Sequence, residues 1–84
     1  MTDLKSVEQK LKDALKETDS VPILYTMLFD GNKVYFAANV YLIDENLKIE
    51  QSGSDGEEDL KDFLKYFDRV DSEIYFSKPG DRIL

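Results

Sequence analysis

The stretch ILYTMLFDGNKVYFAANVYLI, residues 23–43, decides the fold. Apolar residues recur at every second position on both sides of Asp30-Gly31-Asn32, which is the period of a β-strand. Gly and Asn tolerate the positive φ angles that a tight hairpin turn requires. The stretch therefore predicts two long antiparallel strands joined by a short turn.

A third strand follows from the next turn. Asp44-Glu45-Asn46 leads into LKIEQ, and a two-residue loop at Glu45-Asn46 continues the sheet. Residues directly opposite each other in antiparallel strands share a face. This rule predicts one apolar face, the core, made of Ile23, Tyr25, Met27, Phe29, Val34, Phe36, Ala38, Val40, Leu42, Leu47 and Ile49.

Helical patterns flank the predicted sheet. Residues 3–18 have apolar positions at helical spacing, and a second helix is predicted over residues 57–68, with Asp55 as its N-cap and Glu58 completing a capping box. Residues 72–77 resemble a fourth strand. We therefore predict one domain, residues 1–84, with a two-layer α+β fold of order α-β-β-β-α-β and both helices on the apolar face.

The opposite face of the sheet carries Tyr35 and Tyr41 among smaller polar and apolar residues. Strand propensity explains tyrosine there without any function. A contact surface explains it equally, because tyrosine is enriched at interface centres, and we then expect both side chains to be exposed. A third possibility is that the C-terminal segment folds back over part of this face.

Acid is concentrated in residues 44–62. Eight acidic residues against Lys48 and Lys61 give this segment a charge of −6, out of −7 for the whole chain. Helix N-termini and turns favour acids for local reasons, whereas an acidic stripe suited to a basic protein is the functional interpretation. The predicted partner-binding acids are Asp44, Glu45, Glu50, Asp55, Glu57, Glu58, Asp59 and Asp62.

Several functional classes are disfavoured. The 84 residues contain neither His nor Cys, the commonest general base and the commonest thiol nucleophile, so we predict no enzyme, metal site or cofactor. Net negative charge repels phosphate backbones, which disfavours direct nucleic-acid binding. No apolar run reaches the roughly 18 residues that span a bilayer, and we expect a cytoplasmic protein.

In size, charge and lack of cysteine the chain resembles the small acidic inhibitors of phages and mobile elements, such as uracil-DNA glycosylase inhibitors, anti-CRISPR proteins and nuclease immunity proteins. The resemblance includes no motif and transfers no residue. It favours an inhibitor that presents its acidic stripe to a basic, nucleic-acid-handling protein, with no direct contact to nucleic acid or membrane. The alternatives are a structural or accessory subunit that homodimerises through the tyrosine-bearing face, and a small enzyme or metal-binding module.

Overall fold

The helices and strands follow one another along the chain in the predicted order. The computed structural model describes residues 4–53, 56–66, 73–77 and 80–84. Its elements are α1 (Leu4–Ala14), β1 (Val21–Phe29), β2 (Asn32–Ile43), β3 (Asn46–Gln51), β4 (Glu57–Asp59), α2 (Leu60–Tyr66) and β5 (Ile74–Phe76). The described strands form one antiparallel sheet of order β4-β3-β2-β1-β5. The predicted α+β class and element order are confirmed, with the short strand β4 added before α2.

The first hairpin turn consists of Asp30 and Gly31. Both residues have positive φ, 50° and 79°, and Phe29 pairs with Asn32. Positive φ at both central positions is the signature of the type I′ turn, whose twist matches that of the two strands. The turn fixes the register of β1 against β2 and gives their side chains the predicted faces.

The second turn is one residue earlier than predicted. Asp44 and Glu45 occupy it, with φ of 50° and 69°, and Ile43 pairs with Asn46. The predicted loop at Glu45-Asn46 is therefore wrong. Because the loop still contains two residues, the pairing shifts by two positions and every side chain keeps its predicted face.

The predicted apolar face supplies most of the core. Six of its predicted residues, Ile23, Tyr25, Ala38, Val40, Leu47 and Ile49, are buried and form one cluster with Val21 and Ile74 of the same face, with Val7 and Leu11 of α1 and with Leu60, Phe63 and Leu64 of α2. The prediction is wrong for Met27, Phe29, Val34 and Leu42, which are between 37% and 50% exposed because they lie toward the ends of the hairpin strands. The ring of Phe63 meets that of Tyr25 edge-on, with 5.1 Å between centroids. We call this side of the sheet the core face and the other side the open face.

Both helices are shorter than predicted. After α1 the chain forms 3₁₀-type turns, because Lys16 and Glu17 donate backbone hydrogen bonds to residues three positions earlier. Residues 57–59 pair with β3 instead of starting a helix, so α2 begins at Leu60. Residues 67–68 and the proposed cap Asp55 lie outside the described residues. Neither helix described here has the length and apolarity needed to cross a membrane.

The described C-terminal residues pack at the edge of the sheet. Arg82 forms a bridge with Tyr75, and the backbone N–H of Ile83 donates to the carbonyl of Ile74 over 2.7 Å. The Ile83 side chain is buried in the core. This backbone extends the sheet beside β5 instead of lying across the open face. The possibility that the C-terminal segment folds back over part of that face is therefore wrong for the described tail.

Candidate functional site

The open face gathers residues from all five described strands. Its members, assigned from the register, are Leu24, Thr26, Leu28, Lys33, Tyr35, Ala37, Asn39, Tyr41, Ile43, Lys48, Glu50, Glu57, Asp59 and Tyr75. Two predicted tyrosines and three predicted acids are among them. The sequence predicted the acidic stripe and the tyrosine-bearing face as two separate candidate contact surfaces. In the structure, part of the stripe lies on the same face as the tyrosines.

The acidic part of the open face contains an unfavourable pair. Glu50 and Glu57 lie directly opposite each other on β3 and β4. Like charges in opposed positions destabilise a sheet. Among the ion pairs between described residues, none neutralises either carboxylate. The pairing of β3 with β4 therefore gains nothing from glutamate at both positions.

The dipole of α2 explains fewer of the acidic residues at positions 57–59 than the sequence predicted. Glu57 and Glu58 precede the first residue of α2 by three and two positions, so they lie outside the first turn where the dipole acts. Asp59 stands immediately before α2, where Asp is a common N-cap residue. Helix capping therefore still explains an acidic residue at Asp59, but the helix dipole does not explain Glu57 and Glu58.

Tyr41 connects the aromatic and acidic parts of the face. Its hydroxyl donates a hydrogen bond to Oε2 of Glu57. Tyr41 is half-buried, so the prediction that its side chain is exposed is wrong. The hydrogen bond to Glu57, assisted by desolvation and by the charges of Glu57 and Glu50, raises the pKa of Tyr41 to about 12. Tyr41 therefore remains a neutral donor to Glu57 at any physiological pH.

Lys48 neutralises one acid beside this pair. Its ammonium group donates to Oδ1 of Asp59, directly across the β3–β4 ladder. The hydrogen bond to Asp59 raises the pKa of Lys48, so the ammonium group stays charged at neutral pH. The uncompensated negative charge of the open face therefore lies on Glu50 and Glu57.

The aromatic part of the face lies further along β2. Tyr35 is 54% exposed, as predicted, and its ring lies 6.5 Å from that of Tyr75 on β5. Tyrosine contributes a large apolar contact area together with a hydrogen-bonding hydroxyl. The arrangement provides an aromatic surface beside the acidic one.

A polar cluster that the sequence did not predict borders the aromatic part. Glu73 accepts hydrogen bonds from Lys33 over 2.6 Å and from the hydroxyl of Tyr75, while Arg82 lies 3.9 Å away. The backbone N–H of Glu73 also donates to Oγ1 of buried Thr26 over 3.1 Å. The residue pattern of 72–77 predicted a strand, now β5, but nothing in the sequence identifies β1 as its neighbour.

The polar cluster predicts a loss of stability in acid. Hydrogen bonds from Lys33 and then Tyr75 hold the pKa of Glu73 below its ordinary value of 4.5. A carboxyl whose folded pKa is lowered stabilises the fold above its unfolded pKa, and that contribution is lost as pH falls through the folded pKa. Urea unfolding of Glu73→Gln should therefore show a weaker decline below pH 4.5 than the parent protein.

The control for this measurement is Glu17→Gln, which removes an exposed acid outside the cluster. Its stability should decline with acid as steeply as that of the parent. Equal slopes for the parent and Glu73→Gln would contradict the role assigned to the cluster.

The other predicted acids lie away from the open face. Asp44 and Glu45 form the β2–β3 turn, and Glu58 points to the core face opposite Ile49. Asp62 is in α2, 3.7 Å from Lys65. Asp55 lies outside the described residues.

A groove of about 530 Å³ lies between the two helices and the β2–β3 turn. Its ionisable residues are Glu8, Lys12, Glu45, Lys48, Asp59, Lys61, Asp62 and Lys65. Four acids and four lysines balance, so this side is not an acidic surface. The predicted stripe is thus divided between a mixed-charge groove and an open-face part.

Comparison of the chain with protein-family models, with curated proteins and with solved structures finds no match. In the described ranges, no group of three or more acidic side chains is arranged to hold a metal ion. The open face itself is therefore the basis for a functional proposal.

Proposed function

We propose that this chain is a small, non-catalytic, acidic protein-binding module. It acts as an inhibitor of the kind that phages and mobile elements use, presenting the open face to a basic, nucleic-acid-handling protein in the cytoplasm. Supporting this proposal above all is the opposed like-charge pair Glu50 and Glu57, which has no ion-pair partner among the described residues and lies beside Tyr41. Residues kept at a cost to folding are typical of functional surfaces.

The chemistry of the open face suits a basic protein surface. Uncompensated carboxylates accelerate encounter with a positive patch and reject negative ones. The exposed ring of Tyr35 adds apolar contact, which positions a partner more firmly than charge alone. Glu57 and Asp59 lie two residues apart on one strand, about 7 Å. That distance is on the scale of the spacing between phosphates of a nucleic-acid strand. A groove that binds such a strand would accept Glu57 directly, and a basic residue of the groove would have to displace Lys48 from Asp59.

Capture from a lysate of the native host tests this proposal. The immobilised protein should retain a basic protein at low salt and release it at high salt, because screening weakens contacts between exposed charges. Added nucleic acid should compete for the captured protein, since both would occupy the same basic groove. Retention that ignores salt and nucleic acid would contradict the proposal.

A single substitution separates function from stability at the acidic pair. Glu50→Lys replaces the like-charge pair with an opposite-charge pair across β3 and β4, which should stabilise the fold by about 0.2–1 kcal/mol. The same change should weaken retention of the basic partner. Urea unfolding and capture on the same preparation measure both effects, and a destabilised variant with normal capture would contradict this assignment.

The alternative is an accessory subunit that homodimerises through the tyrosine-bearing face. The exposed Tyr35 and its neighbour Tyr75 favour it. However, a two-fold contact through this face would bring Glu50 and Glu57 of both copies into one interface. The resulting repulsion makes this the weaker proposal.

A further inference from the structure

The β1–β2 hairpin extends beyond its neighbouring strands. Described pairing of β5 with β1 covers Ile23–Tyr25, and pairing of β3 with β2 covers Ala38–Ile43. Among the described residues, no strand other than β1 and β2 pairs with residues 27–36, which we call the hairpin arm. The arm exposes large apolar side chains on its two faces to between 37% and 54%: Met27, Leu28, Phe29, Val34 and Tyr35.

The exposed apolar area is large enough for a weak interface. Met27, Phe29 and Val34 lie on the core face of the arm, and the half-exposed ring of Phe29 leaves roughly 100 Å² of apolar surface there. Adding Met27 and Val34 gives about 200 Å² on this face, or roughly 400 Å² for two arms. Since apolar atoms form about 60% of an interface, two arms would bury roughly 700 Å² in total, which is the size of a weak, transient contact.

Charge distribution identifies the occupant of this surface. The only charged residues of the arm are Asp30 and Lys33, so the arm has no net charge, whereas the whole chain has a net charge of −7. The acidic turn at Asp44 lies at the opposite end of β2, and the longest dimension of the molecule is 38 Å. Glu50 and Glu57 align with Asn39, five residues or about 17 Å from Val34. That separation exceeds the Debye length of about 8 Å at physiological salt.

We infer that a second copy of this chain covers the arm, forming a weak, reversible dimer through Met27, Phe29 and Val34 on the core-face side of two hairpin arms. The contact joins the neutral ends of two acidic molecules and keeps their acidic ends apart. It leaves the acidic part of the open face accessible, so it differs from the dimer through the tyrosine-bearing face and does not depend on the proposed function.

Sedimentation equilibrium tests the dimer. The parent protein should shift from monomer to dimer between about 1 μM and 1 mM, the range that corresponds to weak association. Phe29→Ser/Val34→Ser should stay monomeric at every concentration in this range. The matched control is Leu42→Ser, which removes a 40% exposed apolar residue from the same strand and face but from the opposite end. It should dimerise like the parent.

Salt distinguishes this dimer from binding to a basic partner. Screening reduces repulsion between two molecules of charge −7, so the dimer should strengthen with salt while partner binding weakens. NMR spectra of the parent protein should also change with concentration at the amides of residues 27–36, a measurement that does not depend on the folding of any variant. A parent that is monomeric up to about 1 mM overturns the inference. So does a dimer that survives the arm substitutions or is lost in Leu42→Ser.

Discussion

Replacing Phe63 with alanine is expected to destabilise the protein by about 3–5 kcal/mol, the cost of removing a buried aromatic side chain. Phe63 is 3% exposed, lies in the middle of α2 and packs edge-on against Tyr25 of the sheet. Small domains have a total stability of about 5–15 kcal/mol, so this loss would leave little margin. Urea unfolding followed by circular dichroism measures it.

Tyr66 provides the control for this prediction. It is the last residue of the same helix and is 78% exposed, so Tyr66→Ala should change stability by less than about 0.5 kcal/mol. Similar losses for Phe63→Ala and Tyr66→Ala would show that α2 does not pack on the core face. The contrast therefore tests how α2 is placed as well as the contribution of one ring.

Reversing both opposed glutamates is expected to weaken binding to the basic partner by at least about 100-fold, since each like-charge contact across an interface costs several kcal/mol. Glu50→Lys/Glu57→Lys exchanges one like-charge pair for another across β3 and β4. The like-charge repulsion is therefore unchanged, and the loss of the hydrogen bond from Tyr41 to Glu57 should cost about 0.5–1.5 kcal/mol of stability. Binding kinetics with the captured partner measure the effect, which should appear first as a slower association rate.

The control for the double reversal carries the same total charge. Glu17→Lys/Asp19→Lys reverses two exposed acids between α1 and β1, away from the open face. If net charge alone drives binding, the two variants should lose affinity equally. If the open face is the contact surface, the control should bind almost as well as the parent, and normal binding by Glu50→Lys/Glu57→Lys would contradict the proposal.

The sequence by itself determined the β1–β2 hairpin and the faces of its strands. The turn residues Asp30 and Gly31 specify a two-residue loop, and the period of two then assigns every side chain from Ile23 to Ile43 to a face. The assignment survived an error of one residue at the Asp44-Glu45 turn because only the parity of the loop length matters. Local chemistry was sufficient here because the interacting residues are close in the chain.

Tertiary structure decided the rest of the candidate site. Residues 57–59 have the composition of a helix start, yet they pair with β3, and that pairing sets Glu57 against Glu50 and within reach of Tyr41. Likewise, the contact of Glu73 with Lys33 exists only because β5 lies beside β1. Such pairings join residues distant in sequence, and their free energy comes from burying a shared core rather than from local propensity. The sequence therefore specified which residues carry charge and aromatic surface, and the closing of the sheet specified which of them meet.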